Sequence, residues 1–129
     1  VATGFLLAEA TNTAAERFPD ARFAIVDYSA TADPFAGDRP NVLGLTFATN
    51  ENSYMIGCLA GLMVDRQGGP QVISAVGGIK LPTVDIFIAG YQAGARGANP
   101  RVTTLNTYND DFLDPVKGRS VAMSQIAKR

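Results

Sequence analysis

The chain has 129 residues and a mass of 13.6 kDa, with 47% hydrophobic and 18% charged residues and a net charge of −1. A chain this long buries roughly two-thirds of its unfolded surface, which suits one globular domain or part of a larger one. Its charges are balanced and spread without runs, which argues against the concentrated basic face that a nucleic-acid partner requires.

There is no His and a single Cys. That removes Ser-His and Cys-His nucleophile pairs, His-ligated zinc, multi-Cys metal sites and intrachain disulfides. No cofactor or metal is implied. The longest apolar candidate, Tyr54 to Val64 between Ser53 and Asp65, falls far short of the ~18–20 residues of a membrane span. The chain opens on Val1 with no basic-then-apolar leader, so a signal peptide, if the gene encodes one, is expected to lie outside it.

In chain order, Val1 to Gly4 reads as the tail of a strand. Leu7, Ala10, Ala14 and Phe18 recur at helical spacing, predicting a helix over Leu6 to Phe18 stopped by Pro19. Phe23 to Val26 is a short apolar strand ended by Asp27. Tyr28 to Pro40, with Pro34, Gly37 and Pro40, reads as a loop, and Asn41 to Phe47 as a second strand. Asn50 is placed to cap a following helix, with Glu51 near the positive end of its dipole. That helix, to about Asp65, is apolar on nearly every side and is expected to be buried. Its small residues Gly57, Ala60 and Gly61 would allow close approach to a sheet, Cys58 is expected to pack inside, and Tyr54, Phe87 and Tyr91 read as core. Gln71 to Val76 is the next strand, and Gly77-Gly78 turns into a helix with Pro82 in its first turn, running to about Gly97. Val102 to Tyr108 is a strand, Asn109 to Asp114 a loop, and Pro115 opens a last helix.

Apolar strands alternating with helices predict an α/β fold with parallel sheets covered by helices. Ligands in such sheets bind beyond the carboxyl ends of the strands. Those ends carry Gly4-Phe5, Asp27-Tyr28, Phe47 to Glu51, Gly77-Gly78 and Asp110-Asp111-Phe112. They combine glycines, isolated carboxylates and aromatic rings without an evident nucleophile and base, which describes a binding cleft better than a reaction centre.

Four segments, in order, resemble the basic membrane protein family of purine nucleoside-binding lipoproteins. They are Gly4-Phe5-Leu6-Leu7-Ala8 with Phe18-Pro19-Asp20 and Phe23 to Asp27; Asn50 to Gly57; Val76 to Ile79 with Pro82 and Phe87 to Gly94; and Tyr108, Asp111-Phe112 and Asp114 to Gly118. The departures are Lys80 for a common Asp, Asn52 for Gly, and Asn109-Asp110 for a Val/Gly pair. The resemblance implies a type I periplasmic-binding architecture of two α/β lobes closing on a ligand. Residues 1–48 would then end the first lobe and 49–129 begin the second, the chain being a fragment of a larger member. It also implies the solute-binding component of an ABC transporter, meeting a permease, held at the membrane only through a lipid anchor absent from this chain. Such a protein is extracytoplasmic, at the cell surface or in the periplasm.

By resemblance, Asp27 hydrogen-bonds the purine and Phe112 stacks on it, with Gly4, Phe5, Gly77 and Gly78 completing the ligand-binding set. Each has a plainer reading. Asp27 suits a turn at a strand end, Phe112 could fold back onto the core, and the glycines could simply make tight turns; Gly77-Gly78 matches no phosphate-binding motif. Asp114 before Pro115 reads as a helix cap. The importer component is the leading reading, with a purine nucleoside or related small molecule as ligand. A ligand-sensing domain of a transcriptional regulator with the same fold is the alternative. A nucleoside-processing enzyme would need an acid–base pair, for which Asp27 and Asp111 are the candidates.

Overall fold

A computed structural model describes residues 1–35 and 39–128; Gly37, assigned above to a loop, and the terminal Arg129 lie outside the described residues. The chain divides into two compact units, Val1–Phe47 and Ala48–Arg129.

The first unit runs β1 (Ala2–Thr3), a 3-10 turn (Phe5–Leu7), α1 (Ala8–Arg17), β2 (Phe23–Val26) and β3 (Val42–Leu45). The three strands form a parallel sheet in the order β1-β2-β3, with Thr3 opposite Val26 and Phe23 opposite Val42. The α1 helix stops before Pro19, which has no N–H to continue it. The end of the helix and the turn after it are gathered by one side chain: Asn41 Nδ2 donates to the carbonyls of Ala15 at 3.1 Å, Phe18 at 3.3 Å and Ala21 at 3.0 Å. Arg39 ties the same helix from the other side, its Nε donating to Asn12 and its guanidinium pairing with Glu16 at 3.4 Å.

The core of this unit joins Ala8 and Ala15 of α1 to Ile25 and Val42 of the sheet, together with Phe35. Phe35 is 1% exposed and meets Tyr28 edge-on, ring centroids 5.9 Å apart. The segment expected to be only a loop therefore contributes a core residue, and burying a ring of that size stabilises the unit by roughly 1.5–3 kcal/mol. Cover by helices on both faces is not complete within this unit. Successive strand residues alternate faces, so Leu43 and Leu45 turn away from Val42 and the core, and both are exposed.

The second unit runs α2 (Thr49–Gln67), β4 (Val72–Gly77), α3 (Pro82–Ala98), β5 (Thr103–Tyr108) and α4 (Pro115–Ile126). β4 and β5 pair in parallel from Val72 opposite Thr103 to Gly77 opposite Tyr108. Proline marks the start of α3 and α4, where its missing N–H costs nothing. Asp114 caps α4, its Oδ1 accepting from the N–H of Val116 at 2.9 Å and of Lys117 at 3.1 Å. Asn50 does not cap α2. The helix enters from Ala48, with no side-chain cap, and Asn50 falls inside its first turn. There Ser53 Oγ donates to the carbonyls of Thr49 at 2.9 Å and Asn50 at 3.2 Å.

The small residues of α2 meet a helix and not a sheet. A Cβ on Gly57 would stand 2.0 Å from the Tyr91 carbonyl oxygen of α3, and one on Gly94 of α3 would stand 1.9 Å from the Tyr54 carbonyl oxygen of α2. The two backbones touch because these side chains are missing. Asn99, 3% exposed, closes the far end of the pair, its Nδ2 donating to the Gly61 carbonyl at 3.2 Å and to Gln71 Oε1 at 2.7 Å while its Oδ1 accepts from Arg101 N. Asp65 of α2 is paired with Arg101.

The expectation that α2 is buried all round is overturned. Met55, Ile56, Leu59, Leu62 and Met63 are exposed. The physical reason is that α2 buries its glycines against α3, which leaves its large apolar residues on the opposite arc. Cys58 is only half-buried, and Tyr54 and Phe87 are exposed, not core. Tyr91 is half-buried, and burial pushes its phenol pKa up. Among the described residues, no helix is long and apolar enough to cross a membrane.

Candidate ligand-binding site

In the first unit, β1 and β2 end together. With Thr3 opposite Val26, the next residues, Gly4 and Asp27, both lie beyond the carboxyl end of the sheet. Gly4 has φ +104°, a conformation that suits glycine, and its carbonyl accepts from Leu7 N at 3.2 Å to close the 3-10 turn that Phe5 opens. Asp27 is left-handed too, at φ +62°, one of the few residue types that adopt this readily. Its N–H donates to the Leu45 carbonyl at 2.9 Å, continuing the ladder to β3, while the residue itself is exposed. Asp27 is thus a turn-former whose carboxylate stands in solvent at a strand end.

In the second unit, Gly77, Gly78 and Phe112 come together. On leaving β5 the chain folds back over the end of β4: Asn109 N donates to the carbonyls of Gly77 at 2.8 Å and Gly78 at 3.0 Å, and Asp110 N to Gly78 at 2.9 Å. Asp110 takes φ +56° to make the turn. Asp111 then organises the loop, its Oδ1 accepting from Leu113 N at 2.7 Å and Asp114 N at 3.1 Å. These backbone N–H groups hold its carboxyl below the usual aspartate range. Held ionised in this way, Asp111 serves the loop as a hydrogen-bond acceptor.

Between these anchors the Phe112 ring lies on Gly78. A Cβ at Gly78 would stand 2.2 Å from Phe112 Cε1 and 2.3 Å from Cδ1. At Gly77 the same space is filled by the Tyr108 ring, 2.8 Å from an ideal Cβ. Tyr108 donates its hydroxyl to Asp85, which raises the phenol pKa, and carries Lys80 Nζ 5.8 Å from its ring centroid. Lys80, one of the departures noted above, is thereby engaged with a ring.

Phe112 remains 43% exposed, and beside it opens a depression of about 340 Å³ lined by Gly77, Gly78, Asn109, Phe112 and Leu113. The sequence marks Asn109 only as a departure from the family pattern and does not mark Leu113. Asn109 Nδ2 donates to the Asp111 carbonyl at 3.2 Å, while its Oδ1 is buried with no hydrogen-bond partner among the described residues. Leu113 is 90% exposed. An apolar residue so placed in a polar loop was the available signal. Among the described residues, no group of three or more His, Cys, Asp or Glu could hold a metal ion. This corner presents a ring that is 43% exposed on a loop backbone held in place by hydrogen bonds.

A family model described as "ABC transporter substrate-binding protein PnrA-like" (Bmp) matches residues 1–129. The chain is 35% identical to a CD4+ T-cell-stimulating antigen of Listeria monocytogenes, a match covering 96% of this chain and 32% of that protein. It is 34% identical to basic membrane protein A of Borreliella burgdorferi, covering 92% and 33%. To the ABC transporter nucleoside-binding protein BmpA of Lactococcus lactis it is 33% identical, covering 92% and 31%. Two solved structures are similar. A solute-binding protein of an ABC transporter system from Conexibacter woesei matches at 31% identity and a TM-score of 0.58, over 97% of this chain and 39% of that one. A second, from Aeropyrum pernix, matches at 25% identity and a TM-score of 0.79, over 97% and 35%. The chain therefore spans about a third of the length of the relatives it matches. With the family model matching residues 1–129 of this chain, and with parallel sheets and helices in both units, the chain belongs to the Bmp family of PnrA-like ABC transporter substrate-binding proteins.

Proposed function

We propose that this chain is part of the solute-binding component of an ABC importer whose ligand is a purine nucleoside. Phe112 stacks on the base, Asp27 accepts a hydrogen bond from the purine, and Gly4, Phe5, Gly77 and Gly78 shape the surroundings. Residues 1–48 belong to the end of one lobe and 49–129 to the start of the next. The ligand is passed unchanged to a permease, and the protein is extracytoplasmic, held at the membrane by a lipid anchor.

The observation that carries this reading is the Phe112 ring, seated on Gly78 and still 43% exposed at the carboxyl end of the β4–β5 sheet. Aromatic stacking on a base is worth ~1–3 kcal/mol and tolerates any ring with a π-face. The name of the Lactococcus lactis relative, a nucleoside-binding protein, supports the choice of ligand. The test is calorimetric titration of the protein, expressed at the length of its relatives, with adenosine, inosine and guanosine. Phe112→Ala is expected to weaken binding about tenfold or more, and Phe112→Tyr much less. Equal losses for both substitutions would refute the stacking role.

A further inference from the structure

We infer that Gly78 is a positioning residue: it acts on the ligand through Phe112, as the seat that fixes the ring, and not by offering its own backbone. The inference rests on the stacking role proposed for Phe112, and it starts from a question about Gly78 itself. Its φ is not in the left-handed region, unlike that of Gly4, Gly68 and Gly69. Backbone conformation therefore does not demand glycine at position 78. Space does. The volume a Cβ would take holds three atoms of the Phe112 ring, Cε1 at 2.2 Å, Cδ1 at 2.3 Å and Cγ at 3.1 Å.

The loop backbone that carries the ring is anchored on both sides, so a displaced ring would have to turn about its own side-chain bonds. The residues before it are tied to the end of β4 through Asn109 N and Asp110 N on the Gly77 and Gly78 carbonyls. Those after it are tied by Asp111 Oδ1 to Leu113 N and Asp114 N, and Asp114 in turn caps α4. One side of the ring rests on Gly78, and the residue as a whole is 43% exposed. A side chain at 78 would have to tilt the ring off its seat, against a loop anchored at both ends. Holding an aromatic group in its binding orientation beforehand lowers the ordering cost of association, so losing the seat should weaken stacking even though the ring is still present.

Two measurements test this. In a double-mutant cycle at the length of the relatives, nucleoside affinity is measured for the native protein, Gly78→Ala, Phe112→Ala and the pair. The expectation is a loss of about tenfold for Gly78→Ala alone and almost none when it is added to Phe112→Ala. Losses that multiply, or native affinity in Gly78→Ala, would overturn the inference. If Phe112→Ala itself loses nothing, the stacking proposal fails, which is a separate result. The second measurement needs no folded Gly78 variant: proton NMR of the native protein should place the Gly78 Hα resonances away from ordinary glycine positions by the ring current of Phe112, and Phe112→Ala should return them. Unshifted Gly78 resonances in the native protein would overturn the inference independently.

Discussion

Replacing Gly94 by Ala adds one methyl group where two helices touch, and the sign of its effect follows from the geometry. The new Cβ would stand 1.9 Å from the Tyr54 carbonyl oxygen and 3.0 Å from Cys58 N, where ordinary contact begins at 3.4 Å. Both obstacles are backbone atoms of α2, so no side chain can swing aside and the helices must separate. Overpacking of this kind costs ~1–3 kcal/mol, whereas Gly to Ala inside a helix returns up to ~1 kcal/mol through propensity. With a rigid backbone atom at 1.9 Å the upper part of that cost applies, and a net loss of about 1–2 kcal/mol is expected. Gly118, inside α4, is the matched control, because the nearest atom to its Cβ is Asn109 Nδ2 at 3.9 Å. There Ala should stabilise by about 0.5–1 kcal/mol. Urea unfolding reads both, as midpoints moving in opposite directions with the slope unchanged. Gly94→Ala as stable as the native chain, with Gly118→Ala behaving as expected, would refute the close helix contact.

Other outcomes follow from the same geometry. Asp27→Asn should leave unfolding nearly unchanged, because Asn tolerates the left-handed conformation at φ +62°, yet lower nucleoside affinity about tenfold by exchanging an acceptor for a mixed group; an unfolded variant would assign Asp27 to structure alone. Asn99→Ala should cost about 1–3 kcal/mol in the same urea assay, since it strands Gln71 Oε1 and Arg101 N around a buried site, and a neutral result would contradict that network. Asp111 has its folded pKa lowered by the N–H groups of Leu113 and Asp114. Its contribution to the loop is therefore complete above the unfolded value of about 3.9 and is lost as pH falls through the folded pKa. A carboxyl titration followed by NMR should give a midpoint below that of a free aspartate, and one at or above it would contradict the Asx turn. Residues 1–129 by themselves leave β1 and β3 as edges of one sheet and an open edge on each of β4 and β5 among the described residues. Light scattering should show oligomers, and a monodisperse monomer would contradict this.

The order of elements was legible because its signals are local. Pro19, Pro82, Pro115 and the Asp114 cap act within a turn of the chain, and the strand runs Phe23 to Val26 and Gln71 to Val76 are apolar enough to identify themselves. The failures are of another kind. The apolar pattern of α2 marks a helix with little polarity but not which arc meets a partner, and Met55, Ile56, Leu59, Leu62 and Met63 are exposed. Glycine spacing announced close packing without naming the neighbour, which is α3. Phe35, Asn99 and Gln125 are buried by contacts with residues far away in the chain, and nothing near them in sequence marks them. The site was half legible. Gly77, Gly78 and Phe112 were each noticed, but only the fold back of the chain after β5 shows that the ring occupies the place of the missing side chain at Gly78.

The central claim, binding of a purine nucleoside without chemistry, is tested most directly by one calorimetric titration with recovery of the ligand. The protein, expressed at the length of its relatives, is titrated with adenosine, inosine and guanosine, and the bound material is then released and separated chromatographically. The account predicts saturable one-site heat for at least one of the three and quantitative recovery of the intact nucleoside. No saturable heat with any of them, or recovery of free base in place of the nucleoside, would contradict it.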